Sequence, residues 1–155
     1  MSSFASVVVG GMAKALWCDA WANWADEQHK INPHNRHYPM GCELMDYCPP
    51  WPERAYHEAW RLLGRIEECN GVGICVLCSQ AFQADHPDAE PSHADWTTMG
   101  DDHWELFGHY LAMGALGHGA SWFDDHERFD LRFPRYTYVD FDEELEELLT
   151  KDEDR

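Results

Sequence analysis

Between residues 52 and 71 the chain reads Pro52-Glu-Arg-Ala-Tyr-His-Glu-Ala-Trp-Arg-Leu-Leu-Gly-Arg-Ile-Glu-Glu-Cys-Asn-Gly71. Ala55, Ala59, Leu62, Leu63 and Ile66 recur at intervals of three and four, which puts them on one face of a helix and the charges on the other. Pro52 suits a first helical turn, where its missing N–H has no intrahelical partner to lose. Asn70-Gly71 supplies a left-handed stop. A helix so bounded must bury its stripe against other elements, and the flanking sequence offers matching faces.

Upstream, from Met12 to about Lys30, Ala13, Leu16, Trp17, Ala20, Trp21 and Trp24 form a second helical stripe. Three Trp on one face could make an aromatic cage or a base-stacking platform, but at this spacing core packing is the expected role. Residues 31–50 hold Asn32-Pro33, Pro39, Gly41 and Pro49-Pro50, a density of breakers that predicts a surface loop with at most a helical turn at Glu43 to Tyr47.

Downstream, Ile74 to about Ala84 predicts a short helix with Ile74, Leu77, Cys78 and Phe82 facing inward. A polar, Pro-containing connection over 86–100 follows. Asp101 and Asp102 place negative charge where a helix macrodipole favours it, at the start of a helix running to about Leu116. Trp104, Leu106, Phe107, Tyr110, Leu111, Met113 and Leu116 cover more than one of its faces, so this helix is expected to be central. Gly108, Ala112 and Ala115 form a narrow seam that lets a neighbouring helix come close, while Gly114, Gly117 and Gly119 weaken its end. Phe133 to Phe141 alternates in the manner of a strand, with partners available at 121–123 or 129–133. Leu145, Leu148 and Leu149 give residues 142–155 a helix-like pattern among acidic groups. The expected architecture is therefore mainly α: a single four-helix domain over 1–141 with a small β element near 121–139, followed by an acidic tail or short helix over 142–155.

The 155 residues carry 29 Asp and Glu against 11 Lys and Arg, a formal charge of −18, yet 45% of them are apolar and eight are Trp. Such a chain is too rich in core formers for acidic disorder. Its charge disfavours direct association with nucleic acid or an anionic membrane and favours a basic partner. No run of about 20 apolar residues is present to span a bilayer. The start lacks the basic flank and apolar run of a secretion signal, so a cytoplasmic setting with reduced thiols is expected.

Three groups of residues could carry chemistry. Cys75-Val-Leu-Cys78 is a CxxC able to fill two corners of a zinc tetrahedron, with Cys42, Cys48, Cys69, His34 and His37 as candidates for the rest; the alternative is that both thiols are small apolar residues of a helix. A redox role would need a strand-and-helix context that the pattern lacks. His118-Gly-Ala-Ser-Trp-Phe-Asp-Asp-His126 gathers His118, Asp124, Asp125 and His126, which could hold a divalent metal or supply a general acid and base, with Ser121 as a conceivable nucleophile. It matches no nucleophile elbow, H-E-x-x-H helix or phosphate loop, and a solvated turn is the simpler reading. Lastly, Asp101, Asp102, Glu105, Asp124, Asp125, Asp140, Asp142, Glu143, Glu144, Glu146 and Glu147 are enough carboxylates to form rows like those of a phosphate backbone, able to engage Arg and Lys. An acidic solvated surface is the alternative.

The stretch Phe107-Gly-His-Tyr-Leu-Ala-Met-Gly-Ala-Leu-Gly-His-Gly-Ala-Ser-Trp-Phe-Asp-Asp-His126, with Gly64-Arg-Ile-Glu-Glu-Cys-Asn-Gly71 upstream, resembles uncharacterised small proteins carried by bacteriophages and prophages, over roughly residues 12–138. That resemblance implies a setting, the cytoplasm of an infected bacterium, and no catalytic residue. In size and charge the chain also resembles acidic anti-defence inhibitors of the anti-CRISPR and antirestriction classes. The expected activity is thus inhibition of a host nucleic-acid-targeting complex through its basic surface, with no required cofactor. A metal-dependent hydrolase or nuclease using 118–126 and a phage scaffold or oligomerisation protein are the alternatives.

Overall fold

A computed structural model describes residues 4–31, 50–74, 76–77, 101–118, 136–137 and 139–153. They contain four helices: α1 (Phe4–Ile31), α2 (Glu53–Asn70), α3 (Asp101–Leu116) and α4 (Asp142–Glu153). The protein is mainly α, and among the described residues no strand occurs. Most of the small β element expected near 121–139 lies outside them, and the described members of its strand at 133–141, Tyr136, Thr137, Val139, Asp140 and Phe141, have no regular structure.

The core of α2 consists of the stripe read from sequence, with Ala55, Ala59, Leu62, Leu63 and Ile66 all buried. Pro52 stands just before the helix in an extended conformation, and its carbonyl accepts from the Ala55 N–H at 2.9 Å. Gly71 closes the other end at φ 66°, donating to Glu67 O, a conformation that would strain any residue with a Cβ. Beyond it Ile74, Val76 and Leu77 turn helically, with Ile74 and Leu77 buried, as expected for the start of the 74–84 helix. The remainder of that helix lies outside the described residues.

Helix α1 begins eight residues before the position that its stripe predicts. Val7-Val8-Val9-Gly10-Gly11 is poor in helix formers, since β-branched residues lose rotamer freedom and Gly loses backbone freedom. Packing overrides that preference: Val8, Val9 and Met12 are buried, and Gly11 lies against the backbone of α3. A Cβ on Gly11 would collide with the Glu105 carbonyl, and one on Gly108 with the Val8 carbonyl. With Ala15 and Ala112 one turn further on and both buried, each helix presents a small-residue seam to the other. The seam expected on α3 is therefore used, and α1 is the helix it receives. Val8 meets Gly108 and Asp19 meets His118, so α1 and α3 run parallel.

The end of α3 is closed by Gly117 at φ 86°, with Gly117 N–H donating to Gly114 O and His118 N–H to Met113 O. This pair of bonds is a Schellman cap, so Gly117 terminates the helix and does not merely weaken it. Trp17, Trp21 and Trp24 are buried, the packing role expected of them. Trp17 meets Phe141 edge-on with ring centroids 5.6 Å apart, which ties the start of α4 to α1. Phe141 and Leu145 are completely buried, and α4 shares the core of the other helices. No described helix is long and apolar enough to cross a membrane.

Candidate functional site

Of the carboxylates singled out from sequence, those described fall into two sets. Asp140, Phe141 and Asp142 enter α4, where Asp140 Oδ1 accepts the Asp142 N–H at 2.9 Å and satisfies one of the donors a helix start leaves open. Phe141, one residue on, is driven into the core, so Asp140 and Asp142 are held at the surface on either side of an anchor. They line an open cavity of about 430 Å³ with Asn23, Trp24, Glu27 and Gln28 of α1. Burial raises the Asp142 pKa above its ordinary value, and the adjoining Asp140 and Glu146 carboxylates add to the shift. Glu143, Glu146 and Glu147 are exposed along α4. Glu144 turns inward: Oε1 lies 3.9 Å from the Arg54 guanidinium, and Oε2 is buried with no hydrogen-bond partner among the described residues. It contributes to fixing α4, not to its outer surface.

The second set stands at the start of α3. Exposed Asp102 and Glu105 line a cavity of about 450 Å³ with Gly11 and Lys14 of α1 and with Leu106, His109 and Tyr110. Burial and then the Lys14 charge lower the His109 pKa, opposed by Glu105, so the imidazole is neutral at pH 7. Lys14 and Glu27 are thirteen residues apart on α1, which separates the two sets by about 20 Å along the helix. The structure therefore gathers Asp140 and Asp142 with Glu27 and keeps Asp102 and Glu105 apart from them. The side chain of Asp101, and all of Asp124, Asp125, Cys75 and Cys78, lie outside the described residues.

His118, singled out with 124–126, is engaged elsewhere. Its Nε2 lies 2.6 Å from Asp19 Oδ1 of α1, and Asn23 donates to Asp19 Oδ2 at 3.2 Å. A carboxylate can orient an imidazole for proton transfer, and here it also bridges the end of α3 to α1. Asp124, Asp125, His126 and Ser121 lie outside the described residues. Beside Asp19, burial pushes the Cys18 thiol up to about 11, with Lys14 opposing the shift and Asp19 adding to it; a thiol so placed is protonated and unreactive at neutral pH. Among the described residues, no group of three or more His, Cys, Asp and Glu is placed to hold a metal ion.

Sequence reasoning missed Asp19, Asn23 and Glu27, although their polar spacing on the far side of the Trp stripe marks the exposed face of α1. It also missed the clasp that leads into α4. Tyr136 Oη donates to the Glu58 carboxylate, Tyr136 N–H donates to Ala115 O at 3.0 Å, and Arg61 lies 3.0 Å from Glu58. Burial and the Glu58 hydrogen bond raise the phenol pKa, so Tyr136 stays a donor.

No family model matches the chain, and no curated protein or solved structure does so either.

Proposed function

We propose that the protein acts by binding, with the carboxylates of α4 and the adjoining end of α1 laid against a basic, nucleic-acid-handling surface of a host defence complex. The observation that carries this reading is that Asp140, Asp142 and Glu143 are not on a loose tail. Asp142 and Glu143 open α4 and Asp140 stands just before it, on a segment anchored by the fully buried Phe141 and Leu145, and Asp140 and Asp142 share a cavity with Glu27 of α1. Charges on a fixed ridge bind without first losing conformational freedom, and carboxylate-to-Arg contacts are among the stronger hydrogen bonds. The formal charge of −18 adds a field that speeds encounter with a basic groove. The resemblance to phage-borne proteins supports the setting, a phage product in the cytoplasm of its host, and anti-CRISPR action is the foremost form of such inhibition.

The test is capture from bacterial lysate and from a panel of purified CRISPR effectors and restriction enzymes, followed by competition with DNA for the captured complex. Reversing Glu27, Asp140, Asp142 and Glu143 to Lys should abolish capture and competition, while reversing Asp102 and Glu105 should leave most of both. Affinity for the parent should fall with salt. Capture that survives reversal of the ridge would remove this reading. Loss of activity on His118→Ala or His126→Ala in a folded protein that retains capture would shift it to the hydrolase alternative.

A further inference from the structure

The cavity of about 450 Å³ beside the start of α3 is not used by the acidic ridge, and its volume is that of a small-molecule site. Two helices build it. Lys14 of α1 lines it, half-buried, together with the exposed Asp102 and Glu105 of α3. Gly11, with no side chain, lets α3 approach and brings these groups around one hollow. Leu106, 46% exposed, adds an apolar wall, and His109 adds an imidazole. The charges here do not cancel one another: among the described residues Lys14, Asp102 and Glu105 make no ion pair and no side-chain hydrogen bond. A half-buried ammonium left so has lost water without gaining a partner. Burial and then the Lys14 charge keep His109 uncharged, against the opposing pull of Glu105, so the cavity holds one cation and two anions.

We infer that this cavity is a site for a free α-amino acid with an apolar side chain, its carboxylate on Lys14, its ammonium on Glu105 and Asp102, and its side chain against Leu106. A simple anion would satisfy Lys14 but face two carboxylates, and a simple cation would satisfy the carboxylates but face Lys14. A ligand that carries both signs on neighbouring atoms meets every charge with its opposite, through hydrogen bonds of the stronger, charge-assisted kind. The neutral imidazole of His109 offers one donor and one acceptor to the same polar end without changing that balance. Leu106 selects for the rest of the ligand, since covering it with an apolar side chain removes area from water that a polar one would not. The site goes beyond the proposed inhibition and stands about 20 Å along α1 from the ridge.

The experiment is saturation-transfer NMR of L-leucine and L-phenylalanine with the whole protein, followed by titration of the nitrogen-15-labelled protein to read the amides of Gly11 and His109. Binding is expected with a dissociation constant of about 0.1–1 mM, the range open to so small a ligand, and with shifts at both amides. N-acetyl-leucine and leucinamide each lack one of the two charges, and both should bind about ten-fold or more weakly, as should L-serine. Lys14→Met and Glu105→Gln should each weaken leucine binding by about ten-fold or more, with thermal melts to check the fold. Absence of amino-acid binding at about 10 mM, well above that range, overturns the inference. So does N-acetyl-leucine binding as well as leucine, which makes this an anion site, or leucinamide doing so, which makes it a cation site. Shifts that leave Gly11 and His109 unmoved overturn it too. The blocked ligands are tested on the parent protein, so the result stands even if a variant fails to fold. Capture through the ridge is measured without amino acid, so the two readings fail separately.

Discussion

Gly10 and Gly11 sit side by side in α1 and should answer the same substitution in opposite directions. Nothing lies within 4 Å of a Cβ built on Gly10, so Gly10→Ala should stabilise the protein by about 0.5–1 kcal/mol through reduced freedom of the unfolded chain. A Cβ on Gly11 meets the Glu105 carbonyl, which belongs to a helix backbone and cannot swing aside. Gly11→Ala should therefore force α1 and α3 apart at a cost of about 1–3 kcal/mol. Denaturant unfolding of the two variants checks both signs, and a Gly11→Ala protein as stable as the parent would mean the seam is not the contact that holds these helices. The sequence offered half of this. Gly108, Ala112 and Ala115 were legible as a seam because they recur on one face of α3, but their partner is about a hundred residues away and carries the motif inside a Val-Gly run that argues against helix. The Asp19–His118 pair was hidden for the same reason, since no periodicity links two residues that only the packing of α1 on α3 brings together.

At the scale of elements, legibility followed amphipathicity. Helix α2 has one apolar stripe and a stop signal, so its buried set could be read residue by residue. Helix α1 is apolar nearly all round through its first half, which hides the period that would have shown where it starts. In α4 the leucine pattern was legible among the acidic groups, and in the structure Leu145 is buried while Leu148 packs partly buried against the core. Leu145 is fully buried beside Phe141, and Leu145→Ala should cost about 2–5 kcal/mol, as for other large-to-small changes in a packed core. Thermal melts measure the loss. Because Arg54, Glu144 and Trp17 also hold the entry to this helix, the substitution tests how far the ridge depends on this side chain; a loss below about 0.5 kcal/mol, the range of surface changes, would mean that the other contacts of α4 hold it without Leu145.

The molecule as a whole carries −18, and like charges this dense oppose any compact state. Raising ionic strength from about 0.01 to 0.15 M shortens the screening length from about 30 to 8 Å, which relieves repulsion between surface carboxylates. The melting temperature should rise with salt over this range, by about 2–4 °C for each kcal/mol of repulsion removed. A melting temperature that falls would show that ion pairs such as Arg54–Glu144 outweigh the repulsion. The parallel pairing of α1 with α3 has a consequence of another kind, in time. Val8 closes on Gly108, so the two surfaces that fit together are made a hundred residues apart on the ribosome. At about 5–20 residues per second, α1 waits some 5–20 s before its partner exists. Through that interval the face of α1 that carries Val8 and Gly11 has no α3 to cover it, and the nascent chain is a candidate client for a chaperone that shields apolar helices during synthesis.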